Sequence, residues 1–389
     1  VQQPASSVVT IAGTNGKGST TAVLDALLRA CGNAVGATFS PHLARFNERI
    51  RLNGEEASDE QICQAFSAVN EARRDTPLTY FEYGALAALY LFRQVEVDVA
   101  LLEIGLGGRL DAFNLVDADV AVVTSIGLDH QDYLGDDLEG IGREKAGIFR
   151  ACRPVVLGHV TDSVRQAAID LDCPRYQLGD EFRVERSLDR WRYRHNSLNL
   201  SLKNLAYGAF APDNCALAVA AACLVLTRQQ RPIEAETLAR ALAEAHLPGR
   251  MEIREYRQTP VLLDVAHNPA AAEFLAGELR QRWPDRRYVA IYGALEDKDA
   301  KGVMQALAPL VRYWLLVPTL GWRGQSAASL AERLGASGQT ETCGSMAEAL
   351  ERAGSLTDSG DGILAFGSFS AVEQARELLI DPRQQTNEA

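Results

Sequence analysis

The chain has 389 residues, enough for two domains, and its 47% apolar and 23% charged residues describe an ordinary globular protein. No run of about 18 apolar residues exists to span a membrane, and no signal-like segment opens the chain. A net charge of −12 without a basic stripe excludes the usual nucleic-acid binder, and seven scattered cysteines with no Cys-x-x-Cys pair read as reduced thiols in a cytoplasm.

The run Val8-Val9-Thr10-Ile11-Ala12 predicts a strand, and Gly13-Thr14-Asn15-Gly16-Lys17-Gly18 a glycine turn. A helix should follow through Val23, Leu24, Leu27 and Leu28. Strand, glycine turn and helix start together make a phosphate cradle, because backbone N–H groups and the helix N-terminus face the ligand. Lys17 can reach the outer phosphates, and Ser19 or Thr20 can offer a hydroxyl to magnesium. The general pattern would put glycine at position 11 and Ser or Thr at position 18, where Ile11 and Gly18 stand. A bare glycine turn is the simpler alternative, but this run directly after a strand is too specific for it.

Residues 34–39 predict a second strand, and Ser40-Pro41-His42-Leu43 to Arg49 a polar, aromatic loop. Ser58-Asp59-Glu60-Gln61 is a capping box opening a helix to about Arg73. Thr79-Tyr80-Phe81-Glu82 leads into an apolar helix, its aromatics reading either as core or as walls for a flat heterocycle. The apolar strand 97–104 ends at Glu103, followed by Gly105, Gly107 and Gly108, then Leu110 and Asp111. A third strand, 119–125, runs into Asp129-His130. Glu103 and His130 thus end two strands, expected to be neighbours, on the sheet edge where Lys17 lies and where open α/β sheets bind ligands. On residue chemistry alone His130 is a metal ligand or a general base, and magnesium prefers oxygen.

A helix over 137–149 carries Glu144-Lys145-Ala146-Gly147-Ile148, and by itself Lys145 is a surface charge. Strand 154–160 and helix 163–171 follow, then alternation over 182–202 that predicts β-hairpins. Ala211-Pro212-Asp213-Asn214 opens an alanine-rich helix, with Asn214 as its cap. Pro248-Gly249 breaks the pattern and marks a domain boundary, with Arg250 beside it. Strands and helices then alternate from Val261 on, a second doubly wound α/β domain whose first strand ends in Asp264-Val265-Ala266-His267-Asn268-Pro269.

These motifs, in this order, resemble the Mur ligase superfamily, and within it the folate branch of dihydrofolate synthases/folylpolyglutamate synthases. The resemblance covers essentially the whole chain. It implies an N-terminal P-loop domain with a mostly parallel sheet (1–247) and a C-terminal Rossmann-like domain (248–389). It implies an ATP-dependent amide ligase: a folate carboxylate attacks the γ-phosphate, and the amine of L-glutamate attacks the acyl phosphate. Dihydropteroate and reduced folates are the implied acceptors, with neither nucleic acid nor membrane as partner, and a monomer is expected.

Carried over residue by residue, ATP contacts fall on Thr14, Asn15, Gly16, Lys17, Gly18, Ser19, Asn214, Arg250 and Asp264. Substrate contacts fall on Thr79, Tyr80, Phe81, Glu82, Leu110, Asp111, His267 and Ser368. Magnesium falls to Ser40, Glu103 and His130. The catalytic set is Lys17, Lys145, Asp264 and His267, with Lys145 carbamylated into a carboxylate-like ligand, which requires a lowered amine pKa. Phe113 replaces a usual threonine, Ser370 stands where relatives often have histidine, and little of the family's leading segment precedes the loop. The chain starts at Val1 rather than Met, so its natural start is expected upstream. A peptidoglycan amino-acid ligase offers no reason for Thr79–Glu82, and a regulatory nucleotide module none for Asp264, His267 and Asn268.

Overall fold

The computed structural model describes residues 3–129, 131–335 and 339–379, the side chain of Asp132 excepted. It divides into two compact units, one up to His246 and one from Leu247 on.

The first unit is built on strands β1 (Ser7–Ala12), β2 (Val35–Thr38), β3 (Ile50–Leu52), β4 (Glu55–Glu56), β5 (Val99–Glu103), β6 (Val120–Ser125), β7 (Val155–His159) and β8 (Arg175–Gln177). They form one eight-stranded sheet in the order β4-β3-β2-β5-β1-β6-β7-β8. From β2 to β8 every pairing is parallel, while β3 and β4 add an antiparallel edge. The central strands are buried end to end, as a parallel sheet covered on both faces demands. Val8 and Ala12 of β1 pack into one core with Leu89, Phe92 and Val164, and the alternating Val9 and Ile11 face the opposite layer. The helices are α1 (Lys17–Ala30), α2 (Asp59–Arg73), α3 (Tyr80–Gln94), α4 (Gln131–Leu134), α5 (Leu138–Ala146), α6 (Asp162–Asp170), α7 (Pro212–Arg228) and α8 (Ala235–Glu244). Helix α1 packs against α7 and α8, α2 against α3, and α5 against α6.

One expectation about this sheet is corrected. Strands β5 and β6 are not neighbours: β1 lies between them, with Ile11 opposite both Glu103 and Val122. The phosphate loop after β1 is therefore flanked on either side by the loops after β5 and β6. The alternation over 182–202 forms a separate antiparallel sheet of β9 (Phe182–Arg186), β10 (Arg190–His195) and β11 (Leu200–Ala206).

The second unit holds β12 (Glu252–Tyr256), β13 (Thr259–Asp264), β14 (Tyr288–Tyr292), β15 (Val311–Leu316), β16 (Thr340–Thr342) and β17 (Gly362–Phe366), ordered β12-β13-β17-β14-β15-β16. All but the edge pair β12–β13 are parallel. Helices α9 (Pro269–Arg282), α10 (Ala300–Leu307), α11 (Ala327–Leu334), α12 (Met346–Leu356) and α13 (Phe369–Leu378) alternate with the strands. Tyr292, Trp314 and Phe366 form an aromatic centre, the rings of Tyr292 and Phe366 stacked at 4.9 Å. Strand β12 carries no apolar alternation in sequence because its inward positions are Glu252 and Arg254, a buried ion pair at 2.7 Å that Arg376 joins. Among the described residues no helix is long and apolar enough to cross a membrane.

Candidate active site

The loop between β1 and α1 is held by the end of β6. Thr14 N donates to Ser125 O at 2.8 Å, the Thr14 hydroxyl pairs with the backbone of Gly127, and Asn15 N donates to Ser125 Oγ at 3.2 Å. The Thr124 hydroxyl donates to Asn15 O at 2.6 Å. Two glycines are required by space. A Cβ on Gly13 would lie 1.9 Å from Thr124 Oγ1, and one on Gly16 would lie 2.5 Å from Asn214 Oδ1. Gly16, at φ +88°, also takes a left-handed conformation that costs other residues dearly. Of the two candidate hydroxyls in the first turn, that of Thr20 is wholly buried, while Ser19 keeps a little exposure, which favours Ser19.

Asn214 is not a helix cap, as its sequence position implied. Ala211 caps α7, and Asn214 stands inside the first turn with its amide against the Gly16 backbone. A proline at the start of α7 already suits that terminus, so the side chain of Asn214 is left to face the loop.

Two lysines meet at the same point. Lys17 Nζ donates to the carbonyls of Gly13 (2.9 Å) and Thr14 (3.2 Å), and Lys145 Nζ donates to Gly13 O at 3.0 Å. Lys145 reaches it from α5 and is buried. Burial, reinforced by the charge of Lys17 and opposed by Asp129, pushes its pKa down to about 7. A cavity at this spot is lined by Gly13, Lys17, Ile104, Gly107, Asp129 and Lys145.

Glu103 is 3% exposed at the end of β5, and its Oε2 accepts from Ser40 N at 3.0 Å. A carboxylate and a serine hydroxyl are the hard oxygen donors that magnesium takes, and the Glu103 carboxylate lies against the Ser40 backbone. Among the described residues no group of three or more His, Cys, Asp or Glu side chains is arranged around one point, and His130 lies outside the described residues.

The glycine loop after β5 is ordered by Asp111, whose Oδ2 accepts from Gly105 N and Leu106 N and whose Oδ1 accepts from Phe113 N, all at 3.0–3.1 Å. Burial nonetheless raises its pKa. Leu110 is 80% exposed next to it. Thr79 and Glu82 form a capping box on α3: Glu82 N donates to Thr79 Oγ1 at 3.2 Å, and Thr79 N to Glu82 Oε2 at 2.7 Å. The Thr-x-x-Glu spacing is the signal in the sequence for this cap. Tyr80 is 64% exposed, while Phe81 packs on Gly105 and edge-on to the buried Phe113 at 5.7 Å. Phe113, the residue that departs from the family pattern, is thus part of this wall.

In the second unit, Asp264 ends β13 opposite Phe366, and its carboxylate accepts from Met251 N (3.0 Å) and Ala266 N (2.9 Å). Desolvation raises its pKa against the nearby charge of Arg250. Phe369 draws the group together: the Arg250 guanidinium lies 5.3 Å over its ring, and the His267 ring stands 6.3 Å away. Sequence reasoning assigned Phe369 no role, and only the fold brings it beside residues more than a hundred positions earlier. His267 Nδ1 donates to Val265 O at 2.9 Å, which fixes the orientation of its ring. Ser368 is buried and caps α13 by accepting from Ala371 N at 3.0 Å, and Ser370 accepts from Leu320 N.

Two family models match the chain, the Mur ligase middle domain over residues 11–221 and the Mur ligase glutamate ligase domain over residues 249–369. The dihydrofolate synthase/folylpolyglutamate synthase of Escherichia coli (strain K12) is 41% identical over 387 residues, 99% of this chain and 89% of that protein. Among solved structures, E. coli FolC in complex with DHPP and ADP matches with a TM-score of 0.90 at 39% identity, over 100% of this chain and 91% of that one. A bifunctional folylpolyglutamate synthase/dihydrofolate synthase with Mn, AMPPNP and L-glutamate bound matches with a TM-score of 0.87 at 39% identity, over 97% of this chain and 90% of that one. The chain therefore belongs to the Mur ligase family, in its branch of ATP-dependent folate–glutamate ligases.

Proposed function

We propose that the chain joins L-glutamate both to dihydropteroate and to reduced folates, through an acyl phosphate, in folate biosynthesis and polyglutamylation. The observation that carries this reading is the convergence of Lys17 and Lys145 on the Gly13 carbonyl, beside the loop that follows Glu103 at the end of β5. Phosphoryl transfer asks for positioning and charge neutralisation, and no covalent protein nucleophile is needed. In this reading the backbone of Thr14 to Ser19 cradles the ATP phosphates, Lys17 neutralises the outermost, and Asn214 contacts the adenine. Ser40, Glu103 and His130 would hold magnesium, which when bound neutralises charge on the transferring phosphoryl group.

Lys145 is proposed to carry a carbamate. Its support is the full Glu-Lys-Ala-Gly-Ile motif and a buried amine whose pKa of about 7 leaves neutral nitrogen available to carbon dioxide. The product puts an anion, rather than a second ammonium, beside Lys17. Phe81, Tyr80, Leu110 and Asp111 are assigned to the acceptor's flat ring. Thr79 and Glu82 act there through the start of α3, which they cap. Arg250 and Asp264 are assigned to ATP, and His267 and Ser368 to the incoming glutamate. The working boundary between domains is 247/248. We infer a monomer acting in the cytoplasm, a reading that its seven free cysteines support.

The test is glutamate-dependent ADP release with each acceptor in turn. Turnover with both dihydropteroate and tetrahydrofolate is expected, and turnover with tetrahydrofolate alone would restrict the role to chain extension.

A further inference from the structure

Arg49 is a half-buried cation that makes no ion pair among the described residues. It closes the 3-10 turn Phe46–Arg49, and its carbonyl accepts from Phe39 N at 3.0 Å. Its Nε donates to His42 Nδ1 at 2.7 Å, which fixes that nitrogen as an acceptor and His42 as neutral. The two terminal nitrogens have neither a hydrogen-bond acceptor nor an ion pair among the described residues. The adjacent Glu48 does not serve them, because its oxygens accept from the backbone N–H groups of Leu43, Ala44 and Arg45 at 2.7, 2.8 and 2.9 Å. A half-buried guanidinium with its terminal donors turned to no protein acceptor is available to an anionic ligand.

The surroundings define what can meet them. The guanidinium lies over the rings of Phe46 (5.8 Å) and Tyr80 (5.4 Å), themselves edge-to-face at 5.9 Å. Its charge also reaches Glu103, which Ser40, at the start of the same loop, contacts. Arg49 therefore stands between an aromatic wall and the carboxylate end of β5. The phosphates of ATP already have their own cradle after β1. What lacks a partner is the negative end of a flat aromatic acid.

We propose that Arg49 binds the carboxylate of the acceptor substrate, the aryl carboxylate of dihydropteroate or the glutamyl carboxylate of a folate. It holds one oxygen and leaves the other free to attack phosphorus. This rests on the ligase reading above. Arg suits the task because its charge is permanent and its fork matches a carboxylate.

The test compares two ligands by equilibrium binding: dihydropteroate, and the same pterin-aryl skeleton without its carboxylate. Arg49→Gln should weaken dihydropteroate roughly 10- to 100-fold, the range of a lost charge-assisted hydrogen bond, and leave the decarboxylated analogue and AMPPNP unchanged. Arg49→Lys should fall between, and carries the same comparison should the glutamine variant not fold. Equal losses for both pteroyl ligands would make Arg49 a structural residue, and a loss confined to AMPPNP would make it a phosphate contact; either result overturns the proposal. Failure of the ligase reading would show separately, in wild-type protein that binds neither pteroyl ligand.

Discussion

Two ammonium groups on one carbonyl oxygen are the sharpest residue-scale feature of this chain. Lys17 and Lys145 both donate to Gly13 O, at 2.9 and 3.0 Å, and only one of them can keep its charge cheaply. Lys17→Ala should leave the fold intact, because its side chain serves the loop rather than the core, and should lower ATP turnover by about 100-fold or more. Wild-type ADP formation by the variant would remove Lys17 from the reaction. Lys145 gives up its proton at about pH 7 in the folded chain, whereas the unfolded chain holds it to the ordinary lysine value of 10.5. Between these values the unfolded state binds more protons, so the unmodified protein should gain stability as pH rises from about 7. Below that range the buried charge costs its full amount. Lys145→Met should flatten this slope in urea titrations carried out without bicarbonate. Carbamate formation, read by 13C NMR with labelled bicarbonate, should rise through the same pH range. Its absence at pH 8, with full activity in bicarbonate-free buffer, would refute the modification.

At the scale of elements, strand and helix starts were legible where the local code is strong. Ser58 caps α2 with its reciprocal Gln61, and the run to Ala12 and the glycines beyond it fold as strand, loop and helix. What escaped depended on partners distant in sequence. Strand β12 hides because Glu252 and Arg254 face inward as an ion pair, and Arg376, a residue of α13, also pairs with Glu252. Asn214 reads as a cap by composition, yet the cap is Ala211, and what occupies Asn214 is Gly16, nearly two hundred residues away. The adjacency of β5 and β6 failed for a similar reason: β1 inserts between them, and chain order alone does not fix sheet order. Thr79 tests how local and functional roles divide. As the cap of α3, Thr79→Ala should cost about 1 kcal/mol in chemical denaturation. A variant of unchanged stability would deny the cap. Gly16→Ala places a Cβ against Asn214 at positive φ, and should destabilise the loop by about 1–3 kcal/mol and weaken nucleotide binding with it. Full nucleotide affinity in that variant would contradict the close packing seen here.

The proposed residues are divided between two compact units. Lys17, Ser40, Glu103 and Lys145 belong to the first, and Arg250, Asp264 and His267 to the second. An acyl phosphate must be kept from water, so amide formation should require both sets at once. A rigid helical insertion at Pro248-Gly249 should spare most ATP affinity and abolish product, and continued synthesis would show that the second unit is dispensable. The central claim is that the acceptor's carboxylate is activated by phosphorylation. Dihydropteroate labelled with 18O in its carboxylate, turned over with ATP and L-glutamate, should deliver one labelled oxygen to the released phosphate. Phosphate free of label, in a reaction that still makes the amide, would contradict it.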